Sequence, residues 1–597
     1  MKKMNRDINL VVRALIRVNK SCTISLTDGT LKGFGEKTDR SNSYSWYNIR
    51  DEWRGVLYSC QKLLCKYHKN GTDPNVKLFE YIVKQMVKSE ALRILSIDEV
   101  LSKKGGFTAG PDGKKSLSDE DLLNFVKSDI NQLLKIIDFN IRRVMIPKGN
   151  GGERPLGIPC ILAKCLQQLL LCIMEPVAEF NQSNLSFGFR KGRSGHMAVL
   201  ELMRIASKRR PLFIINADIE KCFDRILHSE MKRLIGIFFP ISIQVGVNCV
   251  LEGKIFNPDG SVTSNTMGTP QGGVISPLLC NLVLEKATNL DPSLGACIRY
   301  ADDTNWLIWT DNLIKVTRIL NIQLATAGLN MSVIKTVTHN TLKEKEFNIK
   351  FLGYDLCYKN HKYKLGVPKG AIVKFKEKIT KIMKEDMWKV RSAAKVVEKL
   401  TPIIRGWGEF FRLINTFDWK NICGILDRHV VSLLYRWTLR QRTGRNKGRV
   451  IKRYWLITKS YGKHIWKFRH WTLNDKKTWE FKLLTRFIDL DPHSDLYGNR
   501  DDAYKIPYGF KLPKGCRWDQ NYAGWYKKGL KGYFWAKMNN SIRDEFRRQC
   551  FICKSKEIDQ DIIIYAISKT LEKGDAMNKL LPICSRCHNG KPTKILK

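Results

Sequence analysis

At 597 residues the chain is long enough for about three or four domains, and its 43% hydrophobic content excludes an intrinsically disordered protein. The formal net charge of +46 predicts a polyanionic partner, because Lys and Arg side chains that neutralise phosphates release counterions. We find no apolar run of the roughly 18 residues needed to span a bilayer, so the charge favours nucleic acid over a membrane surface.

The N-terminal part divides into a basic arm and a helical segment. Residues 1–45 are basic and poor in acidic residues, as organelle presequences are, and a solvated arm has the same composition. The arm lacks the apolar core of a secretory signal. Residues 46–139 carry apolar positions at helical spacing in "WRGVLYSCQKLLCKY" and "KLFEYIVKQMVKSEALRIL", and the turn-rich "KKGGFTAGPDGKKS" follows these helices.

The remaining chain falls into four segments that differ in composition and in predicted structure. Residues 140–370 mix strands and turns, as in "RRVMIPKGNGGERPLGIP" and "PLFIINADIEKCF", with a helix in "AKCLQQLLLCIMEPVAEF". Residues 371–480 are predicted to be helical and are strongly basic. Residues 481–545 are predicted to be a basic, aromatic linker that binds DNA or RNA, and residues 546–597 contain paired cysteines. Most other cysteines lie singly in apolar segments, which is typical of small core residues in a reducing compartment.

Three aspartates form the clearest candidate site. Asp218 ends an apolar, strand-like run in "FIINADIEKCF", and Asp302 with Asp303 lies at the expected hairpin turn of "YADD". Converging carboxylates repel each other unless divalent metals neutralise them. Two Mg²⁺ ions about 3.5–4 Å apart would activate a 3′-hydroxyl and stabilise the phosphate of an incoming nucleotide. On spacing alone, an ordinary exposed turn remains the alternative.

The surrounding segments resemble the reverse transcriptases encoded within group II introns. The segments that carry the resemblance occur in the family's order: "PKGNGGERPLGIP", "SFGFRKGRSGHMAV", "FIINADIEKCFDRI", "GTPQGGVISPLLCNLVLEK", "RYADD", "GLNMSVIKT" and "FLGYDL". "AGPDG" resembles their N-terminal extension, and "IIRGWGEFFRLINTFDWKNICGILDRHVVSLLYRW" resembles their thumb, the maturase domain (domain X). The resemblance covers about residues 46–460 and a terminal module.

This resemblance implies an α/β multidomain, right-hand polymerase. Its parts are a helical N-terminal extension, fingers and palm over residues 140–370, a helical thumb and maturase domain over residues 371–480, and a small zinc-binding C-terminal module. Asp218, Asp302 and Asp303 match the triad that binds Mg²⁺. Phe223 matches the bulky residue that clashes with a ribose 2′-hydroxyl, while an ordinary core phenylalanine is the alternative.

The resemblance also implies residues that bind the nucleotide. Lys148 and Arg154 correspond to positions that clamp the triphosphate, for which the Arg fork suits phosphate oxygens. Gln271 matches the side chain that lies against the nucleotide, and Gly272 would let the backbone approach it closely. Lys335 matches the proton donor for pyrophosphate, although a solvated lysine is the common case.

The segment from residue 440 to residue 477 is predicted to bind RNA. It contains thirteen Lys or Arg residues and one acid, Asp475. Aromatic residues that could stack on unpaired bases are interleaved with them, namely Tyr454, Trp455, Trp466, Phe468 and Trp471. The predicted RNA-binding residues are Arg440, Arg442, Arg445, Lys447, Arg449, Lys452 and Arg453.

The C-terminal tail has the spacing of a structural zinc site. Cys550 and Cys553 form one C-x2-C pair and Cys584 and Cys587 another, which favours tetrahedral Zn²⁺ over disulfides. In group II intron proteins this spacing frames an HNH endonuclease. His588 matches the last His of that pattern, but the His that acts as general base has no counterpart near Ile564–Ala566. The tail is therefore interpreted as a zinc-stabilised, nuclease-inactive fold, and DNA binding by it stays open.

Taken with the resemblance, these features predict a protein that binds its group II intron RNA to promote splicing. It would also carry an RNA-directed DNA polymerase site that uses an RNA template, a DNA primer and dNTPs for intron mobility, with target DNA as a further candidate partner. The main alternative is a non-enzymatic splicing cofactor that keeps the polymerase fold as a scaffold. A reverse transcriptase of a retron or defence system explains neither the thumb nor the tail.

The compartment and the assembly state stay open at this stage. Usage rich in Ile, Lys and Asn suits an AT-rich organelle genome, which favours a plastid, while a mitochondrion and the bacterial cytoplasm stay open. Secretion and a membrane partner are not expected. The oligomeric state is open, with a dimer among the options.

Overall fold

The computed structural model describes residues 40–71, 73–147, 152–411, 413–414, 416–441, 446–460, 463–473 and 479–490, and two further strands at residues 562–566 and 580–584. The chain divides into two compact units, Met1–Tyr508 and Gly509–Lys597. Helices and sheets alternate through the first unit. This arrangement confirms an α/β, multidomain fold.

Helices form most of the described part of the first unit before β1 and also separate many of its strands. In chain order they are α1 Arg40–Tyr67, α2 Val76–Lys88, α3 Glu90–Leu101, α4 Asp119–Lys127, α5 Ile130–Ile136, α6 Ile161–Phe180, α7 Gly195–Arg209, α8 Cys222–Arg225, α9 His228–Phe238, α10 Ile241–Glu252, α11 Ser276–Thr288, α12 Leu313–Thr326, α13 Lys369–Lys381, α14 Ala393–Phe411, α15 Thr416–Arg440 and α16 Lys447–Tyr454.

The strands of the first unit are short. They are β1 Ile141–Pro147, β2 Glu153–Pro159, β3 Phe213–Asp218, β4 Ile255–Phe256, β5 Val262–Thr263, β6 Gly295–Tyr300, β7 Asp303–Ile308, β8 Val337–Asn340, β9 Glu346–Phe351, β10 Tyr354–Lys359, β11 Lys362–Gly366, β12 Trp455–Ser460, β13 Lys463–Leu473 and β14 Trp479–Leu483.

The predicted N-terminal helices are confirmed, and local capping explains where several of them begin. Ser118 and Asp121 form a capping box at the start of α4, and Asp129 with Gln132 forms another at the start of α5. Helix α1 starts at Arg40, inside the segment predicted to be the basic arm. Helices therefore begin earlier in the chain than the apolar spacing indicated.

Helix α6 is the centre of the main core. Helices α1, α3, α10 and α11 pack around it, and one continuous apolar cluster joins all of them. Within the described part of the chain, this one helix is long and apolar enough to cross a bilayer, so our expectation that no such run exists was wrong. Because 78% of its most apolar stretch is buried inside the protein, it is interpreted as a core helix.

The sheet that carries the aspartates is antiparallel, in the order β6-β7-β3-β8. Trp306 and Ile308 of β7 pack with Val316 and Leu320 of α12 on one face of this sheet. The Trp306 indole Nε1 donates to the carbonyl oxygen of Thr288 at 2.9 Å, which anchors β7 to the end of α11. The sheet is thus held by packed side chains as well as by its strand hydrogen bonds.

A second sheet, in the order β2-β1-β4-β5, contains the strands predicted in "RRVMIPKGNGGERPLGIP". Strands β1 and β2 pair antiparallel from Ile141 with Pro159 to Pro147 with Glu153. The backbone N–H of Gly157 in β2 donates to the carbonyl oxygen of Gln271 at 2.7 Å. This bond joins the hairpin to the "TPQGG" loop.

The prediction of helix up to residue 480 was wrong beyond α16. Strands β12, β13 and β14 form an antiparallel sheet there. Exposure alternates along the second half of β13, where Phe468 and His470 are buried and Lys467 and Arg469 are partly exposed. Aromatic residues at this period of two favour a half-buried strand over a helix. The many basic residues in this segment made the strand period hard to recognise in the sequence.

The cysteines of the described part behave as predicted. Those with described side chains are free thiols, and most of them are buried. Burial raises the pKa of Cys60, Cys165 and Cys297, each to about 12, so these thiols stay protonated. They act as small core residues.

In the second unit, the described strands are β15 Ile562–Ala566 and β16 Leu580–Cys584. They pair antiparallel, with Ile562 opposite Cys584 and Tyr565 opposite Leu581. The positions at which a general-base His was sought, Ile564 to Ala566, therefore lie in β15.

Candidate nucleotidyl-transfer site

The three aspartates meet at one end of the β6-β7-β3 strands. Asp218 is the last residue of β3, Asp303 is the first residue of β7, and the two are directly opposite each other in the antiparallel register. Asp302 occupies the turn between β6 and β7. Its carbonyl oxygen accepts from the backbone N–H of Ile219 at 3.3 Å. The predicted hairpin is confirmed, and strand pairing places the three carboxylates on neighbouring backbone positions.

The electrostatics of this cluster favour a bound cation. Burial raises the pKa of Asp302, and the negative charge of Asp218 raises it further. Desolvation by surrounding protein raises the pKa of Asp303, and the charges of Asp302 and Asp218 act in the same direction, although Asp303 keeps access to solvent. Each shift means that ionised carboxylates are costly here without a positive partner.

Lys335 supplies one such partner. Its Nζ forms an ion pair with Oδ2 of Asp218, and the backbone N–H of Ser332 in the same loop donates to the Asp218 carbonyl oxygen at 2.9 Å. The hydrogen bond and charge of Asp218 raise the pKa of Lys335, with further contributions from Asp302 and Asp303. Lys335 therefore lies beside the triad, as predicted, and remains protonated.

The donor chemistry fits a hard divalent ion. Carboxylate oxygens are the ligands that Mg²⁺ prefers, and one lysine leaves the cluster with excess negative charge. Among the described residues, however, no group of three or more His, Cys, Asp or Glu side chains is arranged so that it could hold a metal ion. Asp218 is turned toward Lys335 instead.

Phe223 lies on α8, a single turn after the strand that carries Asp218. Its ring is buried in the main core and meets the edge of the exposed Phe189 ring, with 6.0 Å between centroids. The Phe223 carbonyl oxygen accepts from the backbone N–H of Thr269 at 2.7 Å. Phe223 is thus packed in the core, and the hydrogen bond from Thr269 holds its backbone against the "TPQGG" loop.

Arg154 and Gln271 are brought together across 117 residues of sequence. The Arg154 Nε donates to Gln271 Oε1 at 2.6 Å. Gln271 in turn donates through Nε2 to Oδ2 of Asp224 at 3.4 Å. Lys148, the other predicted triphosphate clamp, lies outside the described residues.

Asp224 is a member of this site that the sequence reasoning missed. Burial raises its pKa, and the nearby charges of Arg143, Lys221 and Arg154 only partly offset that effect. With Arg143 and Gln271 it lines an open cleft between the β1-β2 hairpin and the "TPQGG" loop. An acidic residue directly after Phe223, six positions after Asp218, was the available signal in "FDRI".

Gly272 occupies a backbone conformation that its neighbours require. Its φ is +123°, and a Cβ built there would lie 2.5 Å from the carbonyl oxygen of Gly157. Only glycine allows the loop to approach β2 this closely.

The predicted RNA-binding residues that the structure describes are exposed. Lys447, Arg449, Lys452 and Arg453 lie on α16, whose Val450 faces the core. The Arg440 guanidinium carbon lies 4.3 Å from the centroid of the Trp388 ring, a cation–π contact. Arg442 and Arg445 lie outside the described residues.

Two of the predicted base-stacking aromatics are core residues instead. Trp455 and Phe468 are 3% and 2% exposed, and the Trp455 Nε1 donates to Thr438 Oγ1 at 3.0 Å. The Phe468 ring packs edge to face against Trp455 and against Trp437 of α15. Stacking on RNA bases is therefore excluded for these two, while Trp466 remains exposed and the side chain of Trp471 lies outside the described residues.

The proposed zinc ligands are not tested by this geometry. Cys550, Cys553 and Cys587 lie outside the described residues, and only the backbone of Cys584, at the end of β16, is described.

Comparison with known families decides the identity. A family model for reverse transcriptase (RNA-dependent DNA polymerase) matches residues 146–356, which contain the triad, Phe223, Gln271 and Lys335. A second model, for the maturase-specific domain of group II introns, matches residues 372–455. The chain thus contains a reverse transcriptase domain followed by a maturase-specific domain of group II introns. The family resemblance seen in the sequence is confirmed.

The relatives include proteins from bacteria and yeast. The chain is 32% identical to Protein YkfC of Escherichia coli over 226 residues, which is 36% of this chain and 58% of that protein. It is 30% identical over 223 residues to a 91 kDa protein in the cob intron of Schizosaccharomyces pombe, covering 36% and 26%. It is 28% identical over 233 residues to the group II intron-encoded protein LtrA of Lactococcus lactis, covering 38% and 37%. The chain therefore spans less than two thirds of the length of each of these three relatives.

Replacing Gly272 with alanine tests the close contact between the loop and the hairpin. Gly272→Ala combines positive-φ strain with a collision against Gly157, so we expect it to lower the free energy of unfolding by about 2–5 kcal/mol. Gly260→Ala is the matched control, because Gly260 also has positive φ, +83°, but no atom within 4 Å of the added Cβ. It should cost about 1–2 kcal/mol. Thermal unfolding followed by tryptophan fluorescence measures both, and equal shifts would contradict the contact.

Proposed function

We propose that this protein is an RNA-directed DNA polymerase that also acts as a maturase on a group II intron RNA. The observation that carries the proposal is the meeting of Asp218, Asp302 and Asp303 beside Lys335, within the segment that matches reverse transcriptases. In this assignment the β6-β7-β3-β8 sheet is the palm and the β1-β2 hairpin belongs to the fingers. Residues 371–480 are the thumb, with strands as well as helices.

The triad would hold Mg²⁺ through Asp218 and Asp302, with Asp303 as the weaker ligand. The ions would supply positive charge to the 3′-hydroxyl and to the phosphate under attack. Lys335 is held protonated by the acidic cluster, so it can donate a proton to the departing pyrophosphate once its contact with Asp218 is released.

The nucleotide would lie between the hairpin and the "TPQGG" loop. Arg154 offers a guanidinium fork to phosphate oxygens, and Gln271, which now accepts from Arg154, would lie against the nucleotide. Phe223 favours dNTPs because its ring packs against Phe189 and its backbone is held by Thr269, so the ring cannot easily move away from a ribose 2′-hydroxyl. Asp224 would orient the Gln271 amide.

The maturase function would use the exposed basic residues of α16 and the end of α15. Folded RNA presents phosphate density and shape more than readable base edges, and Lys and Arg on one surface suit it. The intron RNA itself would perform the splicing chemistry, while the protein holds its domains in place. The match of residues 372–455 to a maturase-specific domain supports this role.

For the tail, the two C-x2-C pairs support a structural Zn²⁺ site. The missing general-base His supports the loss of HNH nuclease activity, with DNA binding retained. For the compartment, we propose an organelle, with a plastid favoured by composition, or the bacterial cytoplasm.

Removing both turn carboxylates tests the polymerase proposal. Asp302→Ala combined with Asp303→Ala should reduce Mg²⁺-dependent primer extension on an RNA template by about a thousandfold or more, because several kcal/mol of transition-state stabilisation is lost. Intron RNA binding and splicing should be largely unchanged. Primer extension with labelled dNTPs and a splicing assay measure the two.

The matched control replaces another adjacent acidic pair, Asp119 and Glu120, which is exposed at the start of α4. It should leave extension intact. If wild-type protein incorporates no dNTP but still promotes splicing, the scaffold alternative is correct.

Neutralising the basic face of α16 tests the RNA surface. Alanine at Lys447, Arg449, Lys452 and Arg453 should weaken intron RNA binding and reduce the slope of log affinity against log salt by about three, because each lost phosphate contact removes about 0.7–0.9. Filter binding at several salt concentrations measures the slope. The charge-matched control is alanine at four exposed lysines near β9 to β11, Lys343, Lys345, Lys350 and Lys362. Equal slope changes in both variants would exclude a specific role for α16.

Metal analysis tests the tail. Wild-type protein should contain about one Zn²⁺ per chain, and Cys550→Ser with Cys553→Ser should remove it, because a tetrahedral site cannot persist on two thiolates. Mass spectrometry of the purified protein measures the metal. Cys249→Ser with Cys357→Ser, at two partly exposed free thiols, is the control that should keep its zinc. A wild type without zinc would contradict the site.

A further inference from the structure

Arg299 lies three residues before Asp302, in β6, and it is a buried cation. Only 2% of its surface is exposed. A guanidinium removed from water is tolerated only when its charge and its donors are matched by partners. Its partners therefore show what it holds in place.

Three acceptors surround the Arg299 guanidinium. Its Nη1 donates to Oδ1 of Asn281 at 2.9 Å and to the carbonyl oxygen of Ala301 at 3.4 Å. Its Nη2 pairs with Oε2 of Glu285 at 3.3 Å. Asn281 and Glu285 lie one turn apart on α11, so they present one face of that helix to the arginine. Arg299 thus ties the turn residue Ala301 to α11.

The same two helix residues also hold the segment 183–188. Glu285 Oε1 accepts from the backbone N–H of Ser183 at 2.8 Å, and Asn281 Nδ2 donates to the carbonyl oxygen of Gly188 at 2.8 Å. The Arg299 backbone completes the link. It donates to the carbonyl oxygen of Leu185 at 2.9 Å and accepts from the N–H of Phe187 at 2.8 Å. The "SFGF" segment, which the proposed chemistry left without a role, is therefore bound along β6.

The turn itself needs this support. Ala301 has a φ of +57°, a left-handed conformation that is strained for a residue with a Cβ. Gly188 lies directly against it, since a Cβ at Gly188 would collide with the Ala301 nitrogen. Such a conformation persists only where several contacts determine it together.

We infer that Arg299 is a positioning residue that holds the Ala301–Asp303 turn in register with β3, so that Asp302 and Asp303 stay beside Asp218, where the three carboxylates could bind a metal ion together. The inference rests on the proposed polymerase function. It predicts a loss in metal binding and turnover that exceeds what lost stability explains.

The test compares two conservative changes at buried arginines. Arg299→Lys keeps the charge but cannot reach all three acceptors. Arg93→Lys is the matched control, because Arg93 is also buried, at 3% exposure, and donates to four carbonyl oxygens, but in the N-terminal helices. Both variants are assayed as full-length protein well below their unfolding midpoints.

Arg299→Lys should lower kcat for primer extension by at least about tenfold, because small displacements of reacting groups are that costly, while KM for dNTP changes less than about twofold. Half-maximal activity should need several times more Mg²⁺. Arg93→Lys should change none of these quantities even where its unfolding midpoint falls equally. Asn281→Ala, which removes one acceptor and keeps the ion pair, should give a smaller loss in the same direction.

A second readout does not depend on catalysis. Binding of Mn²⁺, followed by the electron paramagnetic resonance of the free ion, should weaken several-fold in Arg299→Lys and stay unchanged in Arg93→Lys. Equal Mn²⁺ affinity in wild type and Arg299→Lys, or equal losses in the two lysine variants, would overturn the inference. A wild type that binds Mn²⁺ but incorporates no dNTP would refute the proposed function alone, and the Mn²⁺ comparison would still decide the role of Arg299.

Discussion

Repulsion between like charges is the constraint around which the described site is built. Asp218, Asp302 and Asp303 lie where three strands end together, and partial burial strengthens their mutual repulsion. A folded chain tolerates this arrangement only if other interactions hold the backbone there. Because the carboxylates repel each other, the site attracts cations. In the structure the Lys335 ammonium is such a cation, and it pairs with Asp218.

The interactions that hold this backbone are themselves buried and polar. The Thr304 hydroxyl donates to the Ala217 carbonyl oxygen at 2.9 Å between the two aspartate strands. Beneath the turn, Arg299 is matched by Asn281 and Glu285 on α11. Because each of these groups would be costly to bury alone, the network permits few alternative arrangements of the hairpin. Rigidity at the carboxylates thus comes from polar contacts as much as from apolar packing.

On the side proposed to face the nucleotide, close contacts between backbones hold the segments together. Gly272 and Gly157 let the "TPQGG" loop and the hairpin come within hydrogen-bonding distance. The loop is also bonded to the carbonyl oxygen of Phe223. Three segments that are distant in the sequence are joined mainly by main-chain groups, so their side chains stay available for ligands. Arg154 and Gln271 are such side chains.

The sequence by itself determined the family, the strand that ends at Asp218, the hairpin that presents Asp302 and Asp303, and the helices of the core. The family is carried by the resemblance of several motifs in order, whereas the strand, the hairpin and the helices depend on periodicity and turn residues within a few positions, so a single segment encodes each of them. Only the tertiary structure decided that Trp455 and Phe468 are buried, that a sheet follows α16, that Asp224 joins Gln271, and that Arg299 supports the turn. Each of these depends on which distant surfaces pack together. A basic or aromatic residue has the same local pattern whether it faces RNA or the core, because burial is set by the partner surface and not by the neighbouring residues.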